Sequence, residues 1–266
     1  MDELGFDAKE ISSWFPSEQE DPYVLVRVPE EHSAGWTDGL VLQVRRSYIT
    51  DAALDESARA RKVSASVILS AKLPDAGSTM AGDFGEILTY LYHSGRTHPA
   101  EVIGAKKWRL KHDRTKPAPH SDVVQFVLPD WPTATSDDTI ICSEVKTKST
   151  KGTFKPIPAA IEGAVKDRTS RLTRTLVWLR ERGLTEDLGD VRLEHLERFI
   201  NAAEFPAAQK QFHAVAVVCS ALVEAERLTA PDARNNDYQV LVIAVPKLYE
   251  IYNAIYEAVI HSGDTD

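Results

Sequence analysis

The run Thr139-Ile140-Ile141-Cys142-Ser143-Glu144-Val145-Lys146-Thr147-Lys148 constrains this chain more than any other stretch. Its first half is apolar, the composition of a buried strand. Its second half carries an acid and an amine two residues apart, and such residues share one face of a strand. Glu144 and Lys146 therefore project side by side from a strand end. A carboxylate beside an ammonium in that position can bind a divalent cation and steer a water. Glu-x-Lys alone is weak, since a solvated ion pair on an edge strand spells the same letters. Two upstream acids strengthen it. Asp122, in His120-Ser121-Asp122-Val123-Val124, begins a second apolar run that ends at Leu128. Gly82-Asp83-Phe84-Gly85-Glu86 opens an amphipathic helix with Glu86 in its first turn. Two carboxylates and then Glu-x-Lys, in the order helix, strand, strand, is the layout of a metal-dependent phosphodiesterase site.

The surrounding pattern is that of an α/β chain. Tyr23 to Val28 reads as a strand closed by Pro29, Ser33 to Gly39 as a polar turn, and Leu40 to Val44 as a second strand. Asp51 to Lys72 reads as mostly helical, with Asp51 a candidate N-cap. Pro74 to Ser78 is a loop. From Ala81 to Ser94, Phe84, Ile87, Leu88, Leu91 and Tyr92 recur at helical spacing, and Gly95 stops the run. Lys107 to Lys111 alternates, Trp108 and Leu110 against Lys107, Arg109 and Lys111, which predicts a half-buried strand with a basic face. Ala159 to Arg182 predicts one long helix, with Arg168 within its apolar stripe and Arg171 at the margin. A helix over 193–203, strands over 212–219 and 238–245, and a closing helix from Leu248 to Ile260 follow. The order predicts helices covering a mixed sheet. A soft boundary near residue 80 divides a small N-terminal α+β lobe (1–80), a candidate partner-interaction or regulatory region, from the main domain (81–262).

Charge is unevenly spread. The net charge is −9, which argues against a surface devoted to nucleic acid. Yet residues 1–60 hold 13 acids and 5 bases, whereas 101–155 hold 10 bases and 7 acids, and 156–182 hold 6 bases and 3 acids. The basic surplus surrounds the Glu-x-Lys run, as a phosphate-binding patch would. Such a modest patch suits a protein to which another delivers nucleic acid. Cys142 and Cys219 sit in apolar strand-like runs and read as reduced core residues. There is no long apolar run and no secretory signal pattern, so the expected location is the cytoplasm, away from membranes. No Gly-rich phosphate loop followed by Lys-Ser or Lys-Thr occurs, which excludes a helicase motor in this chain.

Phosphodiester cleavage needs an activated water and neutralised phosphate charge, and a hard cation supplies both. Mg²⁺ takes oxygen ligands and keeps several waters. Asp122, Glu144 and the Val145 carbonyl are the candidate ligands, with Mn²⁺ as the alternative metal. Lys146 would orient the water or meet phosphate charge. Glu86 would hold a metal-bound water or a second ion, although an acid in a first turn also simply complements the helix dipole. Arg109, Lys111, Arg114 and Lys148 are candidate phosphate contacts.

These residues carry a resemblance. Gly82 to Leu88, Trp108 to Arg114, Ser121-Asp122 and Ser143 to Lys148 are together similar to the PD-(D/E)xK nuclease superfamily, and most similar to HamA-type nucleases of the Hachiman antiphage system. The similarity spans roughly residues 80–150. It implies a restriction-endonuclease-like core with a central mixed sheet, and a Mg²⁺-dependent DNase of little sequence preference. Asp122, Glu144 and Lys146 map onto the triad and Glu86 onto the helix acid; Ser121 replaces the proline that often precedes the first acid. It also implies a superfamily-2 helicase partner of the HamB type. A stand-alone restriction or repair nuclease, and a catalytically silent DNA- or protein-binding subunit, are the rival expectations.

Overall fold

The computed structural model describes residues 3–20, 22–231 and 236–263. The chain begins with α1 (Ala8–Trp14), β1 (Ser17–Glu20) and β2 (Tyr23–Arg27), then four short helices: α2 (Glu30–Gly39), α3 (Val41–Tyr48), α4 (Asp51–Arg61) and α5 (Ala65–Lys72). The long α6 (Ser78–Thr97), β3 (Ile103–Gly104), β4 (Val123–Val127) and β5 (Thr139–Lys148) follow. Then come α7 (Pro156–Lys166), α8 (Leu172–Gly183), α9 (Leu193–Ile200), β6 (Gln209–Cys219), α10 (Val223–Arg227), β7 (Gln239–Val245) and α11 (Leu248–His261).

The strands form one sheet in the order β1-β2-β7-β6-β5-β4-β3. Its centre is parallel, from β2 through β7 and β6 to β5. The edges are antiparallel, β1 on β2 and β3–β4 on β5. Parallel neighbours need crossover connections, and α7 to α9 provide the one from β5 to β6. Strand alternation divides the core. Val215 and Val217 of β6 face the layer of α6 and α11, with Val145, Phe84 and Ile255. Ala214 and Ala216 face α7, with Ile157, Ala160 and Ala164. A third cluster, including Phe126, Ile140, Leu176 and Phe199, fills the space under α8 and α9. This is the mixed, helix-covered α/β sheet that the pattern predicts.

The first 80 residues share both sheet and core with the rest. β2 pairs with β7, and Leu4, Trp36 and Tyr48 lie in the same cluster as Phe84 and Tyr256. The boundary expected near residue 80 therefore crosses a continuous sheet and a continuous apolar layer.

Several local expectations are corrected. The polar turn expected over 33–39 belongs to α2, and the strand expected over 40–44 is α3. That helix buries Val44, Ser47 and Tyr48 at three- and four-residue spacing; a short apolar run does not reveal its period. The helix expected over 51–72 is two, α4 and α5, because Lys62 takes a left-handed φ of 55° after α4. The strand expected over 107–111 is a 3₁₀ turn, Lys107–Leu110, which buries Lys107 along with Trp108 and Leu110. The long helix after β5 is interrupted by a π-helical turn, Asp167–Arg171. The extra residue shifts the inward face from Arg168 to Asp167, which is buried.

Candidate functional site

The candidate residues meet where β4 and β5 begin to part. The last paired residues there are Val123 and Ser143. Asp122, one step before β4, turns its carboxylate across the gap, and Oδ2 accepts a hydrogen bond from Val145 N at 2.8 Å. Glu144 and Lys146 lie on the β5 face that looks towards α7. Their neighbours across the parallel pair are Ala214 and Ala216, small residues that leave room for the longer side chains. Gly163 of α7 completes the recess: a Cβ there would stand 2.3 Å from the Glu144 carboxyl carbon. Gly85 plays the same part on the other face. A Cβ at that position would meet Thr147 Oγ1 at 2.1 Å, so glycine lets α6 approach β5 closely.

The ammonium of Lys146 sits among three oxygens. It donates to Glu144 Oε1 at 2.5 Å and to the Val145 carbonyl at 3.1 Å, and lies 3.6 Å from Asp122 Oδ2. Its side chain remains 30% exposed. A second cation grips the other Glu144 oxygen. Arg171 Nη2 donates to Glu144 Oε2 at 2.7 Å and to the Gly163 carbonyl at 2.5 Å, and Arg171 Nε lies 3.0 Å from Asp167 Oδ1. Asp167 in turn accepts from the Ser121 hydroxyl at 2.8 Å, and the Thr175 hydroxyl accepts from the Ser121 backbone N–H and donates to the Ser121 hydroxyl, each at 3.1 Å. A closed path thus runs from Ser121, beside Asp122, through Asp167 and Arg171 to Glu144. The π-helical turn is what brings Asp167 and Arg171 into it.

Negative charge is in surplus here. Burial, reinforced by the Asp122 carboxylate, pushes Glu144 up to about 7 against the pull of Lys146 and Arg171. Burial likewise pushes Asp167 up to about 6. For Lys146, burial disfavours the charge, but Asp122 and Glu144 outweigh it and raise the amine above the ordinary lysine value. Glu86 is buried on α6, its Oε2 accepting from Trp108 Nε1 at 3.0 Å. Burial, then the charges of Asp122 and Asp83, hold its carboxyl well above the usual range. Lys107 is buried too; it donates to the Pro119 carbonyl at 2.7 Å and to the Ser121 carbonyl, securing the chain just before Asp122.

Among the described residues, no group of three or more His, Cys, Asp or Glu side chains is arranged to hold a metal ion. The set that does converge is two carboxylates, Asp122 and Glu144, and one carbonyl, Val145. Mg²⁺ is commonly held by one or two carboxylates with water completing its shell, so these donors fit a hard divalent cation. An ammonium already lies within reach of all three groups, which marks the point as one that attracts positive charge.

The four basic candidates each have partners within the protein. Arg109 donates to the Arg46 carbonyl at 2.6 Å and to Glu3 at 3.1 Å. Lys111, only 4% exposed, pairs with Asp83 at 2.7 Å. Arg114 pairs with Asp75 at 2.5 Å and donates to the Leu73 carbonyl at 3.1 Å. Lys148, 6% exposed, pairs with Glu226 at 2.7 Å and donates to the Gly152 and Phe154 carbonyls. Arg109, Lys111 and Lys148 are engaged by partners inside the fold, whereas Arg114 meets Asp75 at the surface, its side chain 35% exposed. Asp167, Arg171, Lys107 and Gly163 are not among the site residues that the sequence pattern predicts, and Ser121 enters there only in place of a proline. The available signals were Gly163 within an apolar helical stripe and the misfit of Arg168 in that stripe.

A family model described as HamA matches residues 9–259. The chain belongs to the HamA family. The match extends from α1 into α11, so the family's defining region includes the N-terminal helices as well as the Glu-x-Lys strand. HamA is a component of the Hachiman antiphage defence system, which gives this chain its setting among partner proteins. A search among curated proteins finds no match. No described helix is long and apolar enough to cross a membrane.

Proposed function

We propose that this HamA-family chain is the DNA-cleaving effector of its defence system, a metal-dependent phosphodiester hydrolase under the control of a partner helicase. One observation carries the reading: Asp122, Glu144 and the Val145 carbonyl, from two strands, converge on one cationic side chain at a recess beside the sheet. Asp122 and Glu144 would hold Mg²⁺ or Mn²⁺ with the Val145 carbonyl, and the bound ion would polarise the phosphate and lower the pKa of a water. Lys146, partly exposed and two residues from Glu144 on the same face, orients that water or meets the charge that develops on phosphate. Arg171 and Asp167 position Glu144 and keep its carboxylate turned into the recess. Glu86, buried and readily protonated, offers a proton-holding group on the α6 side. Residues 1–60 hold 13 acids against 5 bases, a balance that suits contact with a basic partner rather than with DNA.

The test is cleavage of plasmid DNA by the purified chain, alone and with its helicase partner, in Mg²⁺, in Mn²⁺ and in chelator. Cleavage that needs the metal and disappears in Glu144→Gln and Lys146→Ala is the expected result. Equal cleavage by wild type and both variants removes the site. Absence of cleavage under every condition favours the silent-subunit reading.

A further inference from the structure

Beyond Lys146 the β5 strand runs directly into a second feature, a groove of about 460 Å³ between the start of α6, the loop 149–155 and α11. Three properties distinguish it. First, its loop 149–155 carries no acid and two exposed amines, Lys151 and Lys155, the latter 3.9 Å from Glu226. Lys151 is exposed and forms no ion pair among the described residues. Secondly, two aromatic side chains that line the groove are left largely open, Phe154 at 47% and Tyr249 at 48%. Tyr252 supports Tyr249 edge-on, with ring centroids 5.6 Å apart, and its hydroxyl lies 3.2 Å from Ser149 Oγ. Thirdly, the loop is held in one shape. The buried Lys148 ammonium donates to the Gly152 carbonyl at 2.8 Å and the Phe154 carbonyl at 2.7 Å, and is itself fixed by Glu226. The lysine expected to touch DNA thus sets the loop that holds Phe154 out at the groove.

We infer that this groove binds a single-stranded DNA segment and leads it to the Glu144/Lys146 recess, with Phe154 and Tyr249 stacking on bases and Lys151 meeting the backbone phosphates. The inference rests on the nuclease reading and deepens it by naming the form of the substrate. An open aromatic face beside an unpaired amine is the chemistry of single-strand binding: every unstacked base offers a π-face, whereas a duplex hides its bases between neighbours. Continuity supports the assignment. Thr147 and Lys148 line the groove and follow Lys146 on the same strand; Thr147 turns to the α6 face and Lys146 to the α7 face, so the path from groove to recess passes round the strand edge that β4 leaves unpaired beyond Ser143. Gly77 and Gly152, on opposite walls, have open space where a side chain would stand, which leaves backbone accessible for close approach of a sugar–phosphate chain.

Fluorescence anisotropy on the full chain in chelator, with a labelled single-stranded oligonucleotide and a blunt duplex of the same sequence, separates binding from cleavage. Wild type is expected to bind the single strand more tightly than the duplex. Phe154→Ala and Tyr249→Ala should each weaken single-strand binding by about tenfold, and Lys151→Glu should weaken it and flatten its salt dependence. Phe154→Trp, which keeps an aromatic face, should retain binding. Single-strand affinity equal in wild type and in the Phe154→Ala, Tyr249→Ala double variant, no preference for the single strand, or loss on Phe154→Trp equal to loss on Phe154→Ala overturns the proposal. The groove and the nuclease reading fail separately. Metal-dependent plasmid cleavage without selective single-strand binding removes only the groove. Selective binding without cleavage by any metal leaves the groove standing and removes the catalytic role.

Discussion

Two buried charge clusters in this protein are built on opposite plans. Under α9, Arg198 and Asp138 are both almost wholly enclosed. Arg198 Nε donates to Asp138 Oδ2 at 2.6 Å, and its Nη2 donates to the Thr135 and Pro206 carbonyls at 2.8 Å each. One cation meets one anion, and backbone carbonyls take up further donors. At the β4–β5 opening, Asp122, Glu144 and Asp167 share Lys146 and Arg171, and two of the carboxyls are held well above their ordinary range. The first cluster is closed and can only stabilise the fold it sits in. The second is short of positive charge and open on one side. A fold retains such an imbalance where a ligand completes it, and pays for it in stability.

The largest effect expected from this difference is on catalysis. Glu144→Gln and Lys146→Ala should each lower metal-dependent plasmid cleavage by about a thousandfold, while thermal melting shows Glu144→Gln at least as stable as wild type, because one surplus buried charge is gone. A large fall in the melting temperature of Glu144→Gln would mean that the recess is a closed structural pair like the one under α9. Asp138→Ala should do the reverse. Leaving Arg198 buried without its partner should cost about 3–5 kcal/mol in urea unfolding, with the cleavage rate of the folded fraction unchanged.

Arg171→Met should weaken metal affinity or activity by about 10- to 100-fold, the range for a residue that orients a ligand rather than touching substrate. Arg171→Lys should recover part of it, and isothermal titration with Mn²⁺ should show the weakened binding directly. The smallest effect lies on the opposite face of β5 from Glu144, where His93 and His213 pack with ring centroids 4.6 Å apart. His93 bonds Ser143 Oγ at 2.8 Å, whereas both ring nitrogens of His213 are enclosed without a hydrogen-bond partner among the described residues. Burial drives His213 down to about 4, and burial together with His213 drives His93 well below the usual imidazole value. The unfolded chain therefore takes up protons that the folded protein refuses, so stability falls as pH drops from about 6.5 towards 4. His213→Gln should show a smaller loss of urea midpoint between pH 7 and 5 than wild type; an identical loss would mean that these rings do not contribute to acid unfolding.

The fold was legible wherever a period persisted. β4, β5, β6, β7, α6 and α11 stand near their expected places because alternating or helical apolar spacing extends over several repeats. It was not legible in short runs. Leu40-Val41-Leu42-Gln43-Val44 suits a strand or one side of a helix, and only the packing of Val44 and Tyr48 made it α3. The interruption at Asp167–Arg171 was hidden for a related reason: one inserted residue leaves composition untouched but moves the inward face, and it placed Arg171 on Glu144 where regular spacing put Arg168 on the core.

The acids of the recess were determined by the sequence itself, since the period of a strand and the turn before it fix where Glu144, Lys146 and Asp122 point. The partners of the other charges were decided only by tertiary structure. Arg109 meets Glu3 across 106 residues and Lys148 meets Glu226 across 78, and no local pattern records such encounters. A side chain's direction follows from its own backbone, but whether its charge is spent or available depends on what the rest of the chain brings beside it.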